Sequence, residues 1–207
     1  MTDVREVLQV ARRRRFARNE VVFHADDPGD SLHLIQKGRF SIRVMTPLGA
    51  VATIAVRGAG ESFGEIALVG EGSRRSATVS ALEDAETFAI YRTEFEQLRK
   101  RHPSVNEVLF RLLANEVQTM NERLLEALYV PVEKRVIRRL VDLAALYKGN
   151  DGQSVIMLTQ EALSELAGAS RATVNQVLRE EEKRGTIQLL RGRTTVLDLE
   201  SLTKRAR

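Results

Sequence analysis

The sequence predicts an α+β protein in which a β-rich N-terminal half precedes a helical C-terminal half. Three observations support this prediction. Turn residues punctuate the chain from about residue 20 to residue 91, this punctuation then stops, and a proline interrupts the helical pattern at Val130-Pro131-Val132. With 207 residues, 43% of them apolar and 29% charged, the chain is long enough for one large domain or two small ones.

The N-terminal half has the spacing of an antiparallel sandwich or barrel. Glycine, proline and aspartate turns separate short runs that are rich in β-branched and aromatic residues. The predicted strands cover residues 21–23, 32–35, 40–44, 51–56, 77–81 and 87–91. In the third of these, Phe40, Ile42 and Val44 alternate with Ser41 and Arg43, which predicts one buried face and one face in water.

From about Thr93 the pattern becomes helical. Residues 94–100 predict a short helix, and Ser104 can cap a long one that runs to about Tyr129. Two apolar rows follow this helix, one at alternating spacings of three and four, as in a coiled coil, and one beside it. The first row is Phe110, Leu113, Val117, Met120, Leu124 and Ala127, and the second is Leu109, Leu112, Leu125 and Leu128. One row can pack on the β domain while the other meets a second copy of the helix. The alternative is a single core-facing helix with a wide apolar face.

After a predicted hinge at Val130-Pro131, the C-terminal part has the pattern of a winged helix-turn-helix. An amphipathic segment at 136–147 and a turn at 148–152 precede two short helices, 160–167 and 171–184. Gly168 permits a tight turn between them, and Ser170 is placed to cap the second. A closing strand at 194–197 follows Arg191-Gly192-Arg193, which predicts a hairpin wing.

The second short helix presents side chains suited to reading DNA. Its N-terminus can face a phosphate, arginine pairs with guanine, and asparagine or glutamine pairs with adenine. The predicted DNA-binding residues are Thr159, Gln160, Ser170, Arg171, Ala172, Thr173, Asn175, Gln176 and Arg179. We expect the run Glu180-Glu181-Glu182 to be turned away from the DNA, because it would repel phosphates. The alternative is an ordinary helical hairpin without a DNA-binding role.

Charge and composition narrow the function further. Lys and Arg outnumber Asp and Glu by 14 to 10 in residues 132–207 and equal them at 18 each in residues 1–131, so the net charge of +4 lies in the C-terminal part. The absence of cysteine excludes disulfides, Cys-ligated metals and thiol nucleophiles. No apolar stretch is long enough for a membrane span, and the arginine-rich N-terminus is unlike a signal peptide, so we expect a cytoplasmic protein without a membrane partner.

Other polar groups give no catalytic or metal-binding pattern. His24, His33 and His102 are scattered, and we expect them to be surface or internally satisfied histidines, with no metal bound. We interpret residues 12–15, four consecutive arginines, as a solvated helix face.

A second motif joins Gly64-Glu65 to Arg75-Ser76-Ala77. The glutamate supplies a carboxylate for a sugar diol, the arginine a guanidinium for a phosphate, and the small residues allow a ligand to approach backbone donors. Taken alone, one Glu and one Arg at this spacing also fit a surface ion pair.

Together the two motifs resemble the cyclic AMP receptor and fumarate-nitrate regulator family of bacterial transcription factors. The resemblance implies a β-roll (jelly-roll-like) sensor domain at 1–103, a long dimerisation helix at 104–130 and a winged helix-turn-helix domain at 131–207. In nucleotide-binding members the Glu holds the ribose 2′-hydroxyl and the Arg and Ser hold the cyclic phosphate, which implies those roles for Glu65, Arg75 and Ser76. The implied effector is cAMP or another cyclic nucleotide, and the implied effector-binding residues are Gly64, Glu65, Ile66, Ala67, Arg75, Ser76, Met120 and Asn121.

The sequence departs from the family pattern at positions that contact the base of the nucleotide effector and at positions that contact the DNA bases. Met120 and Asn121 stand where cAMP-responsive members offer a hydroxyl and then a Ser or Asn to the adenine, so the resemblance does not by itself imply adenine recognition. Ala172 replaces a family glutamate that accepts from cytosine, and Gln176 replaces a basic base-reader, so we expect a different operator.

We therefore predict a homodimeric transcriptional regulator whose affinity for a palindromic operator in double-stranded DNA depends on a small effector. The predicted dimerisation residues are Phe110, Leu113, Val117, Met120 and Leu124. Activation of transcription would add RNA polymerase as a partner. The alternatives are a constitutive DNA-binding dimer that has lost its ligand and a β-barrel enzyme with an accessory helical domain.

Overall fold

The computed structural model describes residues 10–69, 72–149 and 152–207. The chain divides into two compact units, of which the N-terminal unit ends at Met120 and the C-terminal unit begins at Asn121. The boundary falls inside a long helix, and each unit has buried apolar side chains of its own.

The N-terminal unit is built from two antiparallel sheets of four strands each, and the strands predicted from the turn pattern are all present. The elements are β1 (Arg12–Phe16), β2 (Val21–Phe23), β3 (Ser31–Lys37), β4 (Phe40–Met45), β5 (Val51–Arg57), β6 (Ser62–Phe63), the 3₁₀ helix Glu65–Leu68, β7 (Thr78–Ala81), β8 (Ala85–Tyr91), α1 (Arg92–Arg101) and α2 (Ser104–Tyr129), which continues into the C-terminal unit. The strand orders in the two sheets are β1-β8-β3-β6 and β2-β7-β4-β5.

Apolar side chains from both sheets form the main core of this unit. Phe16, Ile35 and Phe63 come from one sheet, and Phe40 and Val79 come from the other. A second cluster joins the 3₁₀ helix to α1 and the start of α2, and its members are Leu32, Leu68, Ile90, Phe95, Leu98 and Val105. Burying each large side chain contributes roughly 1.5–3 kcal/mol. The short segment that carries Glu65 is therefore anchored at its far end by Leu68.

Residues 12–15 belong to strand β1, so the helix predicted for them is wrong, whereas their predicted exposure to solvent is confirmed. The strand pairs antiparallel with β8, and Phe16 at its end is buried in the core. Arg13 and Arg15 form ion pairs with Glu86 of β8. Strand pairing and the burial of Phe16 outweigh the helix propensity of arginine, which is only a weak local preference.

The simple alternation predicted for β4 is wrong at Ser41. Ser41 is buried, and its hydroxyl lies 3.0 Å from that of Ser80. Arg43, which is half-buried, donates to the same Ser80 hydroxyl at 3.1 Å. The pairing of β4 with β5 also shifts register between Ile42 and Arg43, as at a β-bulge. The face expected in water is thus partly an interior polar cluster.

The C-terminal unit packs helices around a small three-stranded antiparallel sheet. The elements are α3 (Val132–Leu146), β9 (Ser154–Ile156), α4 (Gln160–Ala167), α5 (Arg171–Lys183), β10 (Ile187–Leu190), β11 (Arg193–Val196) and α6 (Leu199–Ala206), and the strand order is β10-β11-β9. The predicted hairpin is confirmed as β10 and β11, which we call the wing, whereas β9 and α6 were not predicted. Of the predicted turn at 148–152, Asn150 and Asp151 lie outside the described residues.

Candidate functional site

Arg75 lies inside the N-terminal unit, with a side chain that is 4% exposed. Its Nη1 donates to the Ser31 carbonyl at 2.6 Å, and its Nη2 donates to the Ser31 hydroxyl at 2.8 Å and to the Asp30 carboxylate at 3.1 Å. The guanidinium carbon also lies 3.9 Å from the centre of the Phe23 ring. Burial lowers the pKa of Arg75, and Asp30 opposes that shift. Protein groups therefore hold the guanidinium in this structure.

Gly64 brings the Gly64-Glu65 step of the motif close to Arg75. Its φ is +85°, and a Cβ added there would lie 2.8 Å from Arg75 Nη1 and 2.9 Å from the Ser31 carbonyl. Both the conformation and the space therefore require glycine. The 3₁₀ helix starts directly after it and places Glu65 half-buried beside this group, whereas Ile66 and Ser76 are exposed and Ala67 is buried.

An ion cluster that the sequence analysis missed lies beside Glu65. Arg57, at the end of β5, donates to Glu61 at 3.0 Å and forms an ion pair with Glu116 of α2. Burial raises the pKa of Glu65, with a further contribution from the charge of Glu116. The Arg57–Glu116 pair thus brings the N-terminal part of α2 to the motif. No local sequence signal could have revealed a pair of residues 59 positions apart.

The side chains predicted to mediate dimerisation form an apolar row on α2 that this chain leaves largely uncovered. Phe110 is 70% exposed, and Val117, Met120 and Leu124 are 57–61% exposed, while Leu113 is half-buried. Asn121, predicted to meet a nucleotide base together with Met120, is also exposed. The second row divides along its length, because Leu109 packs on the core whereas Leu125 and Leu128 are exposed.

The helix-turn-helix has the predicted caps. Thr159 accepts a hydrogen bond from the Ala162 amide at 3.1 Å at the start of α4, and Ser170 accepts one from the Thr173 amide at 3.1 Å at the start of α5. Gly168 between them has a φ of +57°. On α5, Arg171, Ala172, Asn175, Gln176 and Arg179 are exposed, Thr173 is half-buried, and the opposite face is buried through Val174, Val177 and Leu178. Of the α4 positions predicted to bind DNA, Thr159 is exposed and Gln160 half-buried.

This arrangement matches known proteins along nearly the whole chain. A cyclic nucleotide-binding domain matches residues 13–102, and a Crp-like helix-turn-helix domain matches residues 134–205. The CRP-like cAMP-activated global transcriptional regulator of Mycobacterium tuberculosis is 31% identical over 195 residues, which cover 93% of this chain and 87% of that protein. The chain belongs to the CRP/FNR family.

Other CRP/FNR proteins support the same assignment. The cyclic AMP receptor protein of Thermus thermophilus is 30% identical over 187 residues, covering 90% of this chain and 84% of that one. FixK2 from Bradyrhizobium japonicum has the same fold, with a TM-score of 0.80 at 16% identity over 94% of this chain and 96% of that one. As a CRP/FNR protein, the chain is a DNA-binding regulator of transcription and not an enzyme.

The described residues contain neither a metal-binding cluster nor a membrane-spanning helix. Among residues 10–69, 72–149 and 152–207, no group of three or more His, Cys, Asp or Glu side chains is arranged to hold a metal ion. Over the same ranges, no helix has the length and apolar character to span a membrane. His33 is buried rather than ligating, with its ring nitrogens facing the hydroxyls of Thr87 at 3.0 Å and Ser31 at 3.4 Å.

Proposed function

We propose that this CRP/FNR regulator binds a palindromic DNA operator as a homodimer and that a cyclic nucleotide in the N-terminal unit controls its affinity for DNA. The observation that carries the proposal is the meeting of Arg75, Glu65 and the Gly64 backbone within a cyclic nucleotide-binding domain. The cAMP-activated relatives support a cyclic nucleotide as the effector. The division into a sensor at 1–103, a dimerisation helix at 104–130 and a DNA-binding domain at 131–207 belongs to the same proposal.

The chemistry of the motif suits a cyclic nucleotide. Arg75 offers a guanidinium and exposed Ser76 a hydroxyl to the cyclic phosphate, and the Glu65 carboxylate accepts from the ribose 2′-hydroxyl. The phosphate must compete with Ser31 and Asp30 for the guanidinium, so binding exchanges internal hydrogen bonds for ligand contacts. Ile66 and Ala67 line the approach, and Met120 and Asn121 face the base.

The exposed apolar row of α2 supports the proposed dimer, and the exposed face of α5 supports the proposed DNA complex. Burying the apolar row Phe110, Leu113, Val117, Met120 and Leu124 against a second copy removes a large apolar patch from water. The two α5 helices then read half-sites about one helical turn, roughly 34 Å, apart. To shift the dimer from 1:99 to 99:1 in favour of the DNA-binding geometry, the nucleotide needs about 5.5 kcal/mol of differential affinity. Where the protein activates transcription in the cytoplasm, RNA polymerase is a further partner.

Isothermal titration of cAMP and cGMP into the purified protein tests the effector. We expect the wild type to bind, Arg75→Ala to lose binding and Arg74→Ala to retain it. Arg74 is exposed, and within the described part of the chain its side chain donates to the Asp26 carbonyl alone. Ser76→Ala provides a second test at an exposed position. Binding that survives both Arg75→Ala and Ser76→Ala would refute the phosphate assignment.

A constitutive DNA-binding regulator is the second candidate. It is favoured by the hydrogen bonds that Nη1 and Nη2 of Arg75 already make to Ser31, and by Met120, which offers the base no hydroxyl. This candidate predicts no heat with either nucleotide and tight DNA binding by the ligand-free protein. A fluorescence-anisotropy titration of the protein into labelled DNA separates the two candidates. It is run without nucleotide and with nucleotide at about 1 mM, a concentration that fills even a weak site.

A further inference from the structure

The run Glu180-Glu181-Glu182 at the end of α5 has three different environments. Glu180 is exposed, Glu182 is half-buried, and Glu181 is fully buried at 0% exposure. Glu181 follows Val174, Val177 and Leu178 on the buried face of the helix, where its spacing of three, four and seven residues places it in the apolar row. A carboxylate at such a position requires partners that compensate its lost hydration.

The partners of Glu181 lie on the elements that flank the recognition helix. Arg205 of α6 forms an ion pair with it at 2.8 Å, and Arg184 forms one at 3.2 Å. Thr186 donates its hydroxyl to the Glu181 carboxylate at 2.8 Å, and its carbonyl accepts from the amides of Leu197 and Asp198 at 2.8 and 3.0 Å. Glu181 therefore ties α5 to α6 and, through Thr186, to both ends of the wing.

Glu182 ties the recognition helix to the wing strand itself. Its carboxylate accepts a hydrogen bond from the Leu189 backbone amide at 2.9 Å and pairs with Arg179 at 3.0 Å. Strand β10 is at the edge of its sheet, so an amide on its outer side has no strand partner there. One carboxylate thus links a wing amide to an arginine on the exposed face of α5.

We propose that Glu181 and Glu182 are positioning residues that fix the wing and α6 relative to the recognition helix, so that α5 and the basic wing tip at Arg191 and Arg193 engage one DNA duplex together. A wing held in place before binding need not be ordered by the DNA, which strengthens specific binding. The inference rests on the proposed contact of α5 with DNA. It gives the acidic run a role within the DNA-binding unit, although the run itself touches no phosphate.

The three neighbouring glutamates provide matched variants. Glu180→Gln, Glu181→Gln and Glu182→Gln each remove one negative charge from the same turn of α5, so their general electrostatic effect on DNA binding is similar. Two duplexes serve as probes, one selected from a random library by the wild-type protein and one of unrelated sequence. We expect Glu182→Gln and Glu181→Gln to bind the selected duplex about tenfold more weakly and the unrelated duplex unchanged. Glu180→Gln should retain both affinities, because the new amide oxygen can still accept the hydrogen bond that Gln176 Nε2 donates to Glu180 at 3.3 Å.

Hydrogen exchange of the full-length protein without DNA provides the second readout. The Leu189 amide should exchange at least about tenfold faster in Glu182→Gln than in Glu180→Gln, because its acceptor becomes a weaker one. The proposal would be overturned if Glu182→Gln and Glu180→Gln had equal effects on binding of the selected duplex, or if the exchange rate of the Leu189 amide were the same in both variants. A purely structural role would lower binding to both duplexes in proportion to the unfolded fraction. If the wild-type protein selects no DNA sequence, the proposed contact of α5 with DNA is wrong. The exchange rate of the Leu189 amide then still tests whether Glu182 holds the wing against α5.

Discussion

Replacing Arg75 with alanine should destabilise the ligand-free protein, apart from any effect on nucleotide binding. The substitution leaves the buried Ser31 carbonyl without its Nη1 donor, which costs about 1–3 kcal/mol, whereas the Ser31 hydroxyl keeps its contacts with Asp30 and His33. It also removes the guanidinium from the Phe23 ring, worth about 1–2 kcal/mol at a desolvated site. Asp30 is largely exposed and can regain water, so its loss of a partner costs little. We expect the free energy of unfolding to fall by about 2–5 kcal/mol.

Urea unfolding followed by far-ultraviolet circular dichroism measures this loss, at one fixed protein concentration for all variants. Arg74→Ala is the control, since its exposed side chain makes a single described hydrogen bond, to the Asp26 carbonyl, and should cost at most about 1 kcal/mol. An Arg75→Ala protein within about 0.5 kcal/mol of the wild type would show that the guanidinium makes no such contacts in solution. That result would leave Arg75 free for a ligand and remove the competition with Ser31 and Asp30.

Three further predictions concern pH, assembly and DNA recognition. Burial, followed by the charges of Arg75 and Arg14, lowers the pKa of His33 from 6.5 to about 3. Between these two pH values His33 is protonated in the unfolded chain and not in the folded one. The free energy of unfolding should therefore fall as the pH decreases from 6.5 towards 3, by up to about 1.4 kcal/mol per pH unit. Urea unfolding at pH 7.5, 6.0 and 5.0 should show a shallower pH dependence in His33→Gln, and equal slopes would contradict the assignment. Changing Leu113 and Leu124 to glutamate should yield monomers in sedimentation velocity, and dimers that persist would place the interface elsewhere. Arg171→Ala should relax base preference at one operator position at a cost of about 1–3 kcal/mol in selection experiments, with Lys183→Ala as the control; an unchanged preference would exclude Arg171 as a base reader.

Local signals account for the parts of the fold that the sequence predicted correctly. Turn residues bound the strands, and Thr159 and Ser170 cap the helices with their own side chains, so a few neighbouring residues are enough to specify them. Distant partners account for the failures. Residues 12–15 become a strand only because β8 is beside them, and the inward position of Arg75 depends on Ser31, 44 residues away. The spacing of Glu65 and Arg75 identified the motif, but it could not show that Ser31 and Asp30 already bind Nη1 and Nη2 of the guanidinium while Nε has no hydrogen-bond partner among the described residues.

The predicted hinge at Val130-Pro131 likewise combines a local signal, the proline, with contacts between residues farther apart in the sequence. Proline does end α2 at Tyr129, and α3 begins at Val132, yet ion pairs bridge the break. Within the C-terminal unit, Glu126 of α2 pairs with Arg138 at 3.2 Å and with Arg139, and Arg135 donates to the Ala127 carbonyl at 3.2 Å and the Gly168 carbonyl at 3.0 Å. Because the Glu126 side chain is only 11% exposed, separating it from both arginines would leave a nearly buried charge, at a cost of several kcal/mol.

Helix α2 is therefore held by charge at two places along its length. In the N-terminal unit Glu116 pairs with Arg57 beside Glu65, and in the C-terminal unit Glu126 pairs with Arg138 and Arg139. The Glu116 side chain is 38% exposed and the Glu126 side chain is 11% exposed, so the two places differ in how far water screens the charges. The pairs of Glu126 are therefore the stronger ones, because removing both arginine partners would leave the more deeply buried carboxylate uncompensated.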